Sequence, residues 1–278
     1  MNKLFFSSRF IAPVIELARQ AGEVILSYWR TDLEVTSKLD NSPVTAADLA
    51  AHHLILAGLT ALNPSIPVLS EEDADIDCNI RSCWQRWWLV DPLDGTQEFI
   101  SGSEEFTVNI ALIEQGDVVF GVVLIPTSGC CYFGGAGLGA WRSNLNAMPQ
   151  QIQVRQAPSA GEVFTVVVSR RHSTAEQERL LSGLSETLGE LQLENIGSSL
   201  KFCLLAEGSA DCYPCLAPTS QWDTAAAQGV LEGAGGEVLE LNGEPFSYLA
   251  RESLLNSFFL ALPAKAAWRE HLLSLARS

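Results

Sequence analysis

Two aspartates three residues apart, in Asp91-Pro92-Leu93-Asp94-Gly95-Thr96, stand where an apolar run, Trp87-Trp88-Leu89-Val90, breaks off. The run reads as a buried strand, so the acids arrive at a strand's carboxyl end, where α/β sheets place ligands. Proline removes an N–H and glycine permits a tight turn, so the turn can bring side chains three apart to one side. A continuous strand does not do that. Two carboxylates held together repel unless a cation sits between them. A solvated Asp-Gly turn is the competing reading of this stretch alone.

A second short strand, Pro67-Val68-Leu69-Ser70, also ends in acids: Glu71, Glu72 and Asp73. Two such ends so close in the chain read as one shared site. A third acidic end, Asp223 in Trp222-Asp223-Thr224, opens a helix, where it serves equally well as a cap or a first-turn acid. With no His or Cys beside them, these carboxylates select a hard cation, Mg²⁺ rather than Zn²⁺. Phosphoryl transfer to water is the chemistry that follows. Bound ions polarise phosphoryl oxygens, acidify a bound water and neutralise the leaving alkoxide. The phosphatases with an aspartyl nucleophile use Asp-x-Asp-Gly-Thr, with acids two apart; three apart across Pro92 argues against them. Asp73-x-Asp75-x-Asp77 is no EF-hand, because its sixth position is Cys78 and its twelfth Trp84.

Groups that could meet an anion lie in the second half. Ser169-Arg170-Arg171-His172 follows a strand, and Gly197-Ser198-Ser199-Leu200-Lys201 opens a helix, so N–H groups, hydroxyls and cations gather there. Each alone is an ordinary cap or surface cluster. Gly134-Gly135-Ala136-Gly137-Leu138-Gly139 does not spell a phosphate-binding loop and reads as a hairpin turn. His52 and His53, adjacent in mid-helix, point different ways and read as packing or solvent-facing groups.

The elements that must hold these groups can be traced in order. Residues 10–30 have the helical spacing of an amphipathic helix. Thr36 to Val44 is a polar loop with Asp40 at its centre. Thr45 and Asp48 form a capping box that opens an Ala-rich helix to about residue 62. Asp75 to Arg81 reads as a solvated loop, and Trp84, Trp87 and Trp88 as core or rim. From Phe106 to Phe133 the period is two, in three runs separated by turns, an antiparallel meander. Polar Ser143 to Ser159 is the natural junction, dividing an α+β domain at 1–155 from an α/β domain at 156–278. The second domain alternates: strands near 163–168, 191–195, 211–213 and 257–261, helices at 174–188, 198–207 and 223–232.

Composition bounds the rest. A chain of 278 residues, 47% hydrophobic and 18% charged, is globular. The 17 basic against 33 acidic residues give a net charge of -16, which opposes binding to nucleic acid or anionic lipid. A phosphorylated substrate must therefore be met by local cations or bound metal. Seven scattered cysteines, including a lone Cys212-x-x-Cys215, read as free thiols in a reducing cytoplasm. The apolar N-terminal stretch is broken by Glu16, Arg19 and Glu23, so neither an export signal nor a membrane span is expected.

Taken together, Asp40-Asn41-Ser42-Pro43-Val44-Thr45-x-x-Asp48, Ser70-Glu71-Glu72-Asp73, Asp91-Pro92-Leu93-Asp94-Gly95-Thr96 and Trp222-Asp223-Thr224-Ala225-Ala226 resemble the inositol monophosphatase superfamily over most of the chain. Within it, the run Gly197 to Gly208 resembles the bacterial 3′(2′),5′-bisphosphate nucleotidases. The resemblance implies a layered αβαβα sandwich and hydrolysis of the 3′-phosphate of adenosine 3′,5′-bisphosphate, with inositol or sugar phosphates as alternative substrates. A non-catalytic nucleotide sensor on the same fold is a further alternative. It implies two or three Mg²⁺ ions on Glu71, Asp91, the Leu93 carbonyl, Asp94 and Asp223. Asp40 and Thr96, with Glu71, then orient and activate water, and Gly95, Thr96, His172, Ser198, Lys201 and Asp223 contact the substrate. Two positions depart from the pattern: Cys215 stands where similar nucleotidases often carry Arg, and Gln97 where Lys is common. Losing an Arg removes a bidentate phosphate contact. A monomer or a homodimer is expected, in the cytoplasm or, alternatively, attached peripherally to the cytoplasmic face of the inner membrane.

Overall fold

A computed structural model describes residues 8–31, 35–37, 43–145, 147–158, 162–169 and 174–277. The chain begins with α1 (Ser8–Tyr28), a short antiparallel pair β1 (Val35–Ser37) and β2 (Pro43–Thr45), and α2 (Ala46–Leu62). Val14, Leu17, Ala18, Ala21 and Ile25 give α1 one buried stripe, and Ala47, Ala51, Ile55 and Leu59 do the same for α2. The capping box forms as read: the Ala47 N–H donates to Thr45 Oγ1 at 3.2 Å and the Thr45 N–H to Asp48 Oδ2 at 2.8 Å.

Next come β3 (Val68–Ser70), α3 (Cys78–Arg81), β4 (Arg86–Asp94), α4 (Thr96–Ile100), β5 (Thr107–Glu114), β6 (Asp117–Ile125), β7 (Cys130–Gly135), β8 (Gly139–Ser143) and β9 (Gln150–Ile152). The seven strands make one sheet in sequence order, β3 parallel to β4 and every other pair antiparallel. Alternation sorts its residues: Trp88, Val90, Val108, Ile110, Leu112, Val122 and Leu124 pack with α1 and α2, while Trp87, Leu89, Ala111, Ile113 and Val123 face the other way.

The remaining elements are β10 (Phe164–Ser169), α5 (Ala175–Leu188), β11 (Leu191–Ile196), α6 (Leu200–Ala206), β12 (Tyr213–Cys215), α7 (Gln221–Gly233), β13 (Gly236–Glu240), β14 (Phe259–Pro263) and α8 (Arg269–Ala276). Helices α6 and α7 cover the second face of the large sheet, and their outer sides meet Tyr213, Val238, Phe259 and Ala261 of the small three-stranded sheet β12-β14-β13. A last core joins Phe164, Val166 and Val168 of β10 and Leu260 and Leu262 of β14 to Leu180 and Leu184 of α5 and Leu272 and Leu273 of α8. The layers therefore run α, β, α, β, α, the architecture that the resemblance implied.

Four local readings change. The polar segment after Ser143 contains β9, which adds a strand to the sheet through Ala140 opposite Ile152. Asp75 to Arg81 is not all solvated: Asp77 caps α3, and Arg81 is buried, its guanidinium donating to the carbonyls of Ile76 and Arg251. Strand β13 and helix α8 escape notice in the sequence because both are short and mixed in polarity. The Asp91 to Asp94 stretch is not a turn but the bulged end of β4, with Asp91 opposite Asn109 and Asp94 opposite Thr107. One extra residue between these pairs breaks the alternation and returns side chains three apart to one face.

Candidate active site

The carboxyl end of β4 is the centre of the site, because the bulge, a left-handed glycine and a helix start follow one another there. Asp91 is buried at 1% exposure and accepts from the Leu93 N–H at 3.0 Å. Gly95, at φ 94° and ψ 40°, turns the chain into α4 in a conformation that side chains rarely adopt. A Cβ at Gly95 would also stand 3.0 Å from the Glu105 carbonyl oxygen. Thr96 then opens α4, its hydroxyl placed to donate to Asp48 Oδ1 at 3.1 Å or to the Leu93 carbonyl at 3.3 Å.

Asp94 is fixed by a polar network that sequence reasoning did not identify. Its Oδ2 accepts from the Ser199 N–H at 2.6 Å, from Asn109 Nδ2 at 3.2 Å and from Thr107 Oγ1 at 3.3 Å. Ser199 Oγ in turn lies 2.9 Å from both Thr107 Oγ1 and Asn109 Oδ1. Thr107 and Asn109 are polar positions in a strand that is otherwise apolar up to its closing Glu114, which was the available signal. Glu105 adds a further tie, accepting from the Gly197 N–H at 2.8 Å, so the loop before α6 is docked on the end of β4.

Glu71 follows β3 and its N–H donates to the Val90 carbonyl at 3.0 Å, which sets it beside Asp91. Asp223 comes from the opposite half of the chain. It is the third residue of α7 in a second capping box, and its Oδ2 accepts from the Ser220 N–H at 2.7 Å. Helix α7 reaches the sheet so closely because Gly121 of β6 has no side chain: a Cβ there would lie 1.9 Å from the Ala226 carbonyl oxygen. Asp94, Ser198, Lys201 and Asp223, with Phe202, Tyr213, Thr219 and Thr224, line one cavity of about 100 Å³.

The electrostatics are those of crowded acids. Burial first, then the charges of Glu71, Asp94 and Asp223, push the Asp91 carboxyl well above the ordinary carboxylate range. Asp223 is raised well above that range by burial and by Asp94, and Asp94 is raised by burial against the opposing pull of Lys201 and the Ser199 N–H. Lys201, 8% exposed, is lowered by burial, while Asp94 opposes the shift; its Nζ donates to the Ser198 carbonyl at 2.7 Å. Ser198 sits at φ 49°, and its buried Oγ has no hydrogen-bond partner among the described residues. Such an orphaned hydroxyl beside a buried cation suits an anion in the cavity.

The donor set fits Mg²⁺: carboxylate and carbonyl oxygens at the ends of β3, β4 and α7, crowded enough that a divalent cation is what lets them ionise together. Among the described residues no three His, Cys, Asp or Glu side chains already form one closed metal-ligand group. The fold supplies the donor type and the place. His52, buried, lies with its Nδ1 2.9 Å from Ser70 Oγ, whereas His53 is exposed, as packing and solvent roles require. Asp40, Arg170, Arg171 and His172 lie outside the described residues. Asp48, read from sequence only as a cap, proves to serve Thr96 as well. All seven cysteines are free; Cys215 is buried, its thiol 3.6 Å from the Ala217 carbonyl.

Known proteins resemble this chain over most of its length. The inositol monophosphatase family model matches residues 7–277. This chain belongs to the inositol monophosphatase family. The Escherichia coli K12 protein named 3′(2′),5′-bisphosphate nucleotidase CysQ is 49% identical over 248 residues, 88% of this chain and 96% of that protein. The namesake from Aggregatibacter actinomycetemcomitans is 37% identical over 91% of this chain and 93% of its own length. Among solved structures, CysQ from Bacteroides thetaiotaomicron superposes with a TM-score of 0.81 at 38% identity, covering 94% of this chain and 99% of that one. The Thermotoga maritima inositol monophosphatase shares the fold, with a TM-score of 0.75 at 22% identity over 95% of this chain and 94% of that one. No described helix is long and apolar enough to cross a membrane.

Proposed function

We propose that this member of the family is a Mg²⁺-dependent 3′(2′),5′-bisphosphate nucleotidase. It removes the 3′-phosphate of adenosine 3′,5′-bisphosphate to give AMP and phosphate, a step in sulfur assimilation and nucleotide recycling. The observation that carries this reading is the cavity in which Asp94 and Asp223 share walls with Ser198 and Lys201. Carboxylates for metal and groups for an anion meet there, and relatives 49% identical to this chain over 96% of their own length carry that name.

Glu71, Asp91, the Leu93 carbonyl, Asp94 and Asp223 hold two or three Mg²⁺ ions, which when bound polarise the phosphoryl oxygens and acidify a water. The chain's own residues do the rest. Thr96, with its proton directed at Asp48 or the Leu93 carbonyl, keeps its oxygen lone pairs available to accept from the attacking water and aim it. Asp48 is the acceptor to which that proton relay leads; Asp40, which the resemblance implies orients and activates the water together with Thr96, lies outside the described residues. Lys201 and the Ser198 hydroxyl neutralise and hold phosphate oxygens, and Gly95, like Thr96, is assigned to the substrate on its motif. His172 is assigned to the nucleotide on its motif alone.

Phosphate release from adenosine 3′,5′-bisphosphate and from inositol 1-phosphate, compared with and without Mg²⁺, tests the proposal. A kcat/KM favouring the bisphosphate by about 100-fold or more is the expected result. Clear preference for the inositol ester overturns the substrate assignment, and binding without turnover of any phosphomonoester overturns the catalytic one.

A further inference from the structure

Helix α7 brings Asp223 to the site, but what holds the start of α7 is a segment more than thirty residues further along the chain. The Gln221 N–H donates to the Leu254 carbonyl at 2.9 Å, and the Asn256 N–H to the Thr219 carbonyl at 2.7 Å. Between these backbone bonds the Asn256 side chain enters the first turn of the helix. Its Nδ2 lies 2.6 Å from the Ser220 carbonyl, 3.1 Å from Thr219 Oγ1 and 3.1 Å from Thr224 Oγ1. The amide orientation is dictated by its surroundings: turned over, its oxygen would face the Ser220 carbonyl, two acceptors in contact. As placed, Oδ1 lies toward the Arg251 guanidinium at 3.5 Å.

These three partners surround Asp223. Ser220 is bound to it in both directions, the Ser220 N–H donating to Asp223 Oδ2 at 2.7 Å and the Asp223 N–H to the Ser220 carbonyl at 3.1 Å. Thr219 and Thr224 line the cavity with it. Thr224 is also held from behind by the Tyr248 hydroxyl at 2.8 Å, which donates to Gln228 Oε1 at 2.9 Å. The helix turn that lines the cavity is thus anchored by side chains, Asn256 among them.

We propose that Asn256 is a positioning residue for the metal-binding carboxylate Asp223. It fixes the Ser220 carbonyl and the Thr224 hydroxyl, so that the capping box delivers the Asp223 carboxylate to the site in one orientation. The inference rests on the reading of Asp223 as a Mg²⁺ ligand. Removing the amide leaves the backbone bonds of Gln221 and Asn256 in place, so the fold survives while the carboxylate loses its fixed geometry. Groups of this kind behind metal ligands are worth about 10-fold in metal affinity.

The test uses the full chain without substrate, Mn²⁺ standing in for Mg²⁺ in calorimetric titrations, alongside phosphatase activity as a function of Mg²⁺. Asp223→Asn first identifies the Mn²⁺ site that depends on that carboxylate. Asn256→Ala is expected to weaken the same site about 10-fold. Half-maximal activity shifts to higher Mg²⁺ in parallel, and saturating Mg²⁺ restores kcat to within about twofold. Asn256→Asp, which keeps the volume but replaces the donor by an acceptor, has at least as large an effect and serves should the alanine variant fail to fold. Ser253→Ala, on the same segment, leaves both curves unchanged. Wild-type Mn²⁺ affinity in a folded Asn256 variant, or a loss of kcat that Mg²⁺ does not restore, overturns the assignment. Equal Mn²⁺ binding by the parent and Asp223→Asn instead removes the reading of Asp223 as a ligand, and the role of Asn256 falls with it.

Discussion

The Thr96 hydroxyl lies 3.1 Å from Oδ1 of Asp48, joining the first turn of α4 to the first turn of α2. The other oxygen of the same carboxylate is the helix cap, accepting from the Thr45 N–H at 2.8 Å and the Thr45 hydroxyl at 2.6 Å. One buried side chain therefore joins the helix cap to the hydroxyl that we assign to the attacking water. Thr96→Val is expected to lower kcat by about 100-fold or more while KM changes little, because the hydroxyl acts on water rather than on ground-state binding. Asp48→Asn lowers kcat comparably and also weakens the cap, at about 1 kcal/mol. Steady-state kinetics with thermal melts separate the two effects; wild-type turnover by Thr96→Val refutes the role.

Gly121 is the point of closest approach between the sheet and α7. A methyl group would have to occupy space 1.9 Å from the Ala226 carbonyl oxygen, so the helix must lift or the strand must shift. Gly121→Ala is expected to cost about 3 kcal/mol, and to lower activity even in folded protein, because Asp223 rides on α7. Urea unfolding checks the first and specific activity per folded molecule the second. A variant with unchanged midpoint and turnover would show that α7 tolerates displacement.

A buried ion pair away from the site locks β10 to the loop before β12. Asp211, fully buried, accepts from Arg155 Nε at 2.8 Å and Nη2 at 2.6 Å and from the Thr165 N–H at 2.7 Å. Arg155→Met leaves that carboxylate without its cation and is expected to destabilise the protein by about 3–5 kcal/mol. Adding Asp211→Asn in the same chain restores part of the loss, since a neutral amide costs less to bury. Chemical denaturation of the two single variants and the double variant measures the coupling, and strictly additive losses would deny it.

Glu232, on the far end of α7, has its carboxyl raised to about 7 by burial, with the charge of Asp117 adding to the shift and a 2.7 Å hydrogen bond from Gln228 opposing it. The folded protein therefore keeps this proton across a pH range in which the unfolded chain has released it. Stability falls as pH rises from about 4.5 to about 7 on this account, and levels off above. Glu232→Gln removes the penalty and is expected to be more stable than the parent at pH 8 by on the order of 1–3 kcal/mol. The advantage shrinks toward pH 4.5. Melting temperatures of both proteins across this range provide the check, and a gap independent of pH would contradict it.

Much of the site is local and was therefore legible. Asp91, Asp94 and Thr96 lie within six residues at the end of one strand and the start of the next helix, and Glu71 directly follows another strand. The capping box at Thr45 depends only on residues three apart, whereas that at Ser220 escapes the sequence reading, in which Asp223 is a cap or a first-turn acid. The periods of two and 3.6 likewise located most strands and helices. Segments without a clean period escaped: β9 hides in a polar stretch, and β13 and α8 are too short and mixed for their burial to leave a pattern. The bulge in β4 was read as a turn because proline and glycine suit both, and only the pairing with Asn109 and Thr107 separates them.

The sequence by itself determined the clustered acids and the α/β class, because residue types and short spacings carry that information, and the resemblance of its motifs added the layered sandwich. Only the tertiary structure decided which distant groups serve them. Asp48 reaches Thr96, Ser199 and Asn109 orient Asp94, and Asn256 holds the turn that bears Asp223. A hydrogen bond depends on distances of about 3 Å, and residues far apart in the chain acquire such distances only when helices and strands pack against one another.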